Sequence, residues 1–245
     1  MFSKKMATMI LGLSAALLTG CEAEQTEKDM IAEAQFCMDE ARDAASANAC
    51  VSKISGLTSQ QAYTLRCAAG FISAQVTSAE NLSKALDALS DQGAGATSML
   101  TVLNFNDPAL ANKTALDCNR SGQKGLALIG ALAKSSTALA DAAGKLGLGS
   151  CAGGADLSAC QNSIEQAIGE ILQNPTVGAA PEAIVAIGES IQTVYSATCG
   201  GASVANSSIC SDINEAAATA GIDIATADID AIGKALLAQW QPPAP

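Results

Sequence analysis

The chain has 245 residues, 24 acidic against 13 basic side chains, a net charge of −11 and no histidine. A field of that sign argues against nucleic acid held by bulk charge. The lack of histidine removes Ser-His-Asp and Cys-His nucleophile systems and the H-E-x-x-H metal site. Hydrophobic residues make up 49% of the chain but aromatics only 3%, so a core must be assembled mainly from Ala, Ile and Leu.

The N-terminus carries Lys4 and Lys5, followed by an apolar stretch from Met6 to Leu18. That stretch is too short, and wrongly flanked, for a membrane span; it has the form of an export signal. Leu18-Thr19-Gly20-Cys21 then resembles a bacterial lipobox, an apolar residue and two small ones before a cysteine. The resemblance to bacterial lipoproteins covers only these first twenty-one or so residues. It implies cleavage before Cys21, a diacylglyceryl group on its sulfur and an acylated N-terminus. Several acyl chains anchor a protein stably where one is marginal. Glu22, standing where Asp would favour inner-membrane retention in the proteobacterial sorting rule, leans the resemblance towards the outer membrane. Removal of the signal takes away Lys4 and Lys5 but no acid, moving the net charge from −11 to −13.

The resulting organisation is a signal peptide over 1–20, a lipidated tether over 21–35, a helical domain over 36–240 and a Pro-rich tail over 241–245. Ala, Leu, Gln, Glu and Lys dominate and β-branched alternation is scarce, which predicts an all-α fold. Residues 22–45 read as a charged, Ala-rich helix or stalk. Thr58 with Gln61 forms a capping box ahead of Tyr63, Cys67 and Phe71, which share one helical face. Thr77 with Glu80 forms a second, before Leu82, Leu86 and Leu89; the "DQGAGA" run at 91–96 then breaks the chain.

Asp107-Pro108 opens another helix, because proline is tolerated in the first turn. Residues 123–146 form a small-residue helix ending at Gly147, whose uncharged run between Lys124 and Lys134 is too short to cross a bilayer. Leu157, Cys160, Ile164, Ile168, Ile171 and Leu172 make a stripe ended by Asn174-Pro175. Pro181 opens the next helix, with Ile184, Ile187, Ile191 and Val194 facing inward. Thr226 starts the last, with Ile229, Ile232, Leu236 and Trp240 on one side. Stripes this wide and connections this short predict an antiparallel helical bundle. A candidate division lies near 147–155, although one continuous bundle is the simpler arrangement.

Eight cysteines follow Cys21: Cys37, Cys50, Cys67, Cys118, Cys151, Cys160, Cys199 and Cys210. An even number in an exported chain predicts disulfides, and without C-x-x-C or histidine the common zinc patterns cannot be built. Eight cysteines allow 105 connectivities. Nine positions along a straight helix separate Cys151 from Cys160 by roughly 13 Å, beyond the ~7 Å a disulfide allows, so the chain must turn between them. Gly153-Gly154 supplies that turn, with Asp156 as a cap. Gly200-Gly201, with Ser207 or Ser208, does the same between Cys199 and Cys210. A corner near Ser46-Ala47-Asn48 favours Cys37 with Cys50, which leaves Cys67 for Cys118. The two Gly-Gly-Ala corners resemble each other, but no solenoid consensus accompanies them.

Asp223, Asp228 and Asp230 lie close together without the order or the glycine of a calcium loop, and capping is their expected role. No catalytic or metal site and no cofactor is expected, beyond a covalent lipid on Cys21. The sequence therefore predicts a non-enzymatic envelope lipoprotein. It would act as a structural or protein-interaction module, with the membrane and an envelope protein as partners. The alternative is a carrier of a small apolar ligand within the bundle.

Overall fold

The computed structural model describes residues 25–76, 101–149, 151, 157–199 and 207–239, and these form nine α-helices with no strand among them. In chain order they are α1 (25–40), α2 (Ala44–Ser52), α3 (Gln60–Ser73), α4 (Pro108–Arg120), α5 (Lys124–Lys145), α6 (Leu157–Gln173), α7 (Ala180–Thr198), α8 (Ser207–Ala220) and α9 (Ile229–Gln239). The signal and lipobox, the second capping box at Thr77, the break at 91–96, both Gly-Gly corners and Trp240 lie outside the described residues.

The helix ends follow local chemistry, with four shifts from the sequence reading. Residues 25–35, assigned to the tether, are helical, and Ala34 is fully buried while Met30 and Ile31 pack onto the same cluster. The corner before α2 falls at 41–43 and not at Ser46-Ala47-Asn48. The Asp43 side chain accepts from Ser46 N, and Ser46 Oγ in turn accepts from Asp43 N, a reciprocal box that places Ser46 inside the first turn. The α3 cap is Ser59, whose extended backbone lets its side chain accept from Ala62 N, one residue beyond the expected Thr58. Thr226 does not open α9, because Asp223 engages Ala225 N and the Thr226 hydroxyl in a turn of its own. The helix starts at Ile229 instead.

Other ends are as the sequence suggests. Asp107 Oδ1 accepts from Ala109 N and Leu110 N with Pro108 in the first turn. Helix α5 closes in a Schellman motif: Leu148 N donates to Ala143 O and Gly147 N to Gly144 O, with Gly147 at φ 72°. Pro181 sits in the first turn of α7.

Three apolar clusters follow one another along the chain. The first joins α1, α2 and α3 through Met38, Val51 and Ile54. A second joins α3, α4 and α5, where Phe71 meets Phe105 edge to face at 5.2 Å between centroids. The third is the isoleucine core of α5 to α9, where Ile164, Ile168, Ile171, Ile184, Ile187 and Ile232 are fully buried. Helix α5 contributes Ala133 to the second cluster and Leu139 to the third. By length and composition it is apolar enough to cross a membrane, yet it packs centrally against α4, α6 and α7. The buried Thr137 hydroxyl links helix and loop. Thr137 Oγ1 accepts from Phe105 N and donates to Ala133 O.

Glycines set the closest approaches. A Cβ on Gly188 of α7 would overlap the Ile229 carbonyl oxygen of α9, and one on Gly233 would overlap the Ile184 carbonyl oxygen of α7. The contact is reciprocal and antiparallel. Both helices carry the pattern Ile-x-Ala-Ile-Gly there, Ile184-Val-Ala-Ile-Gly188 and Ile229-Asp-Ala-Ile-Gly233. Similarly, Gly70 and Gly130 bring α3 and α5 against Thr114 and Cys118 of α4.

Candidate functional site

The structure joins the eight cysteines in four bonds. Cys37 bonds Cys50 between α1 and α2, and Cys67 bonds Cys118 between α3 and α4, with Cα atoms 5.5 and 4.8 Å apart. Cys151 bonds Cys160 of α6, and Cys199 at the end of α7 bonds Cys210 of α8, at 4.8 and 5.7 Å. Each pair comprises consecutive cysteines. Cys21, the lipidation candidate, lies outside the described residues. Four disulfides in one chain mark an oxidising, extracytoplasmic compartment.

Beside the Cys67–Cys118 bond, Arg66 Nε lies 3.4 Å from Asp117 Oδ1, with the two side chains 9% and 10% exposed. Its Nη1 donates to the carbonyls of Ile54, Ser55 and Leu57, gathering the end of α2 and the following turn onto α3. Tyr63 stacks on the guanidinium, 4.4 Å from ring centroid to Cζ. Lys113 approaches Asp117 from the solvent side. This buried carboxylate is thus held by two cations, an arrangement that ties helices together and leaves no free base.

The surface clefts have mixed polar and apolar linings. One of about 300 Å³ lies beside Cys151, where the Asn104 amide donates to Asn106 Oδ1 and to the Cys151 carbonyl. A longer furrow runs between α4 and α7, over α5 in its first two sections. Its first section, about 170 Å³, and its middle section, about 450 Å³, share Asn112 and Lys134. The middle section shares Asn119, Gln192 and Thr193 with a third of about 680 Å³. Lys134 of α5 pairs with Glu189 of α7 across its floor. Lys145 binds both Asp141 and Glu182 at the end near Pro108, and the Asp141 hydrogen bond, ahead of the Glu182 one, raises its pKa above the ordinary lysine value.

Among the described residues no group of three metal-ligating side chains converges. Asp223 is committed to its turn and Asp230 to Lys234 at 2.7 Å. No protein-family model matches the chain, and no curated protein or solved structure matches it.

Sequence reasoning missed both the Arg66–Asp117 pair and the furrow. A signal existed for each. Arg66 and Asp117 immediately precede the two cysteines that bond, and Asn112, Leu116 and Asn119 recur at one-turn spacing on one edge of α4.

Proposed function

We propose that the chain is a bacterial envelope lipoprotein, fastened to the outer membrane through Cys21, whose helical domain is a non-enzymatic structural or protein-interaction module. The observation that carries this reading is the ordered run of Lys4-Lys5, the apolar stretch from Met6 to Leu18, and Leu18-Thr19-Gly20-Cys21. The crosslinked domain that follows suits an oxidising envelope compartment. Helix α1 is under way by residue 25, so the three intervening residues, four Cα-to-Cα steps from Cys21, give a reach of at most about 14 Å. The domain would then work against the membrane face and not at the end of a long stalk. A module role also fits the site chemistry, since the buried carboxylate Asp117 is neutralised by Arg66 and Lys113. The carrier alternative would seat an apolar ligand among the central isoleucines, which are fully buried within one cluster.

The test is affinity purification from intact envelopes, comparing the wild type with Cys21→Ser, together with mass spectrometry of the native N-terminus. Lipid on a cleaved N-terminal Cys21, and a partner set lost in the variant, are expected. An unprocessed N-terminus with a bare Cys21 thiol would overturn the reading.

A further inference from the structure

We propose that the Cys151–Cys160 disulfide is a thiol–disulfide exchange site, opened by a dithiol that enters the cleft beside Cys151, while the other three bonds are structural braces. This goes beyond the module reading and does not depend on lipid at Cys21.

Access is the first argument. Exchange begins when a thiolate reaches one sulfur of the bond. Cys151 is half-buried and lines the cleft of about 300 Å³ with Asn104, Asn106 and Gly144. Cys160 is buried, so attack falls on Cys151. Cys67 and Cys118, by contrast, are both fully buried.

The leaving group is the second. The departing sulfur carries a negative charge, and a more acidic thiol departs faster. Cys160 is the fourth residue of α6, so its sulfur leaves as an anion in the first turn, where the helix dipole stabilises it. Cys37, Cys50 and Cys118 lie instead in the last turns of α1, α2 and α4, where an anion is disfavoured. Cys210 shares the first-turn position in α8, but its partner Cys199 closes the C-terminal end of α7, donating its N–H to Tyr195 O. A thiolate approaching Cys199 meets the negative pole of that helix.

The third is that opening this bond is a local event. Nine positions separate its cysteines, and Ile164, Ile168 and Ile171 hold α6 in the third cluster without it. What is released is Cys151, whose carbonyl accepts from the Asn104 amide. Cys67–Cys118 spans 51 positions inside the second cluster, and it opens only as α3 and α4 part.

The chemistry balances as two exchanges. The first thiolate of the dithiol bonds Cys151 Sγ, the Cys151–Cys160 bond breaks, and its electron pair leaves on Cys160 Sγ, which takes a proton from water. The second thiolate of the dithiol then attacks its own bonded sulfur, and that pair leaves on Cys151 Sγ. The dithiol departs oxidised to a disulfide, and the chain keeps two thiols.

The experiment exposes the oxidised, native protein to reduced glutathione, quenches with acid, alkylates free thiols and maps every cysteine by peptide mass spectrometry, with circular dichroism followed in parallel. Cys151–Cys160 is expected to open at least about tenfold faster than any other bond, with glutathione trapped on Cys151, the alkyl group on Cys160 and helix content retained. Gly144 lines the cleft, and a Cβ there meets nothing nearer than 4.0 Å, so Gly144→Leu obstructs the approach while leaving α5 intact. It should slow this bond about fivefold and leave the Cys37–Cys50 rate unchanged. Should that variant unfold, the order of opening in the wild type decides alone. Another bond opening first, all four opening together with loss of helix, glutathione landing on Cys160, or a folded Gly144→Leu opening at the wild-type rate would overturn the proposal.

Discussion

Arg66 and Asp117 face each other across the α3–α4 contact one residue before Cys67 and Cys118, so an ion pair and a covalent bond cross the same interface side by side. The arginine additionally holds three carbonyls from the end of α2 and its following turn, which makes this the point where the first cluster is joined to the second.

Removing the carboxylate alone should therefore be expensive. Asp117→Ala strands a guanidinium in a 9%-exposed position, and we expect a loss of about 3 kcal/mol in urea unfolding at neutral pH. The double variant Arg66→Met/Asp117→Leu should lose less than Asp117→Ala, because it buries no uncompensated charge. A double variant weaker than the single one would show that the carbonyl contacts of Arg66 outweigh its pairing.

Reduction should weaken the domain sharply. In the chain-entropy view, closing a loop of 9 to 13 residues contributes roughly 2.5–3 kcal/mol, and the 51-residue Cys67–Cys118 loop roughly 4. These are ceilings, but they are comparable with the 5–15 kcal/mol or so by which a typical domain is stable. Differential scanning calorimetry with and without dithiothreitol should show a large fall in melting temperature, and Cys67→Ser/Cys118→Ser should account for the largest single share.

Two classes of glycine should respond with opposite signs. Gly188→Ala or Gly233→Ala drives a methyl into a backbone carbonyl that cannot swing aside, and about 2 kcal/mol of destabilisation is expected despite the better helix propensity of alanine. Gly169→Ala on α6 meets nothing within 4 Å and should stabilise by about 0.5–1 kcal/mol. Urea midpoints of the three variants give the comparison directly.

The pH profile should have a broad plateau. The backbone hydrogen bond from Ser46, helped by its hydroxyl, holds the Asp43 carboxyl below its ordinary value. Its contribution is complete above the usual carboxylate range and is lost as pH falls through the folded value. Lys145 is raised by Asp141 and then Glu182, so its contribution is complete below the usual lysine range and fades as pH rises past the folded value. With no histidine to titrate between them, urea midpoints should stay flat from about pH 5 to about pH 9. Asp43→Asn should soften the acid limb, and Lys145→Met the alkaline one; both sites are solvent-exposed, so each effect is small.

What the sequence discloses here are features governed by nearest neighbours. Asp107 before Pro108, Gly147 after α5 and the isoleucine spacing of α6 and α7 each act within one or two turns, and a reader of the chain sees them directly. Competition between neighbours is harder to read. Ser59 wins the cap over Thr58, and Asp223 captures Thr226, because backbone conformation decides between two adequate side chains. Features built from distant segments are harder still. Neither Arg66 nor Asp117 looks like a core residue alone, since each is tolerable in the interior only because the other is there. Likewise, the furrow exists only once α4 and α7 are set on either side of α5. The repeated Ile-x-Ala-Ile-Gly pentad was visible in the chain, but its meaning as a reciprocal helix contact depends on the crossing itself.

The order in which the cysteines are joined has a consequence for how the chain matures. Each bonds the next one in sequence, so no loop encloses or crosses another. A polypeptide threaded N-terminus first into an oxidising space presents its thiols in that same order. From Cys37 onward, a simple oxidase that couples each new thiol to the one still waiting would leave the native set in place, with no isomerase needed to correct it.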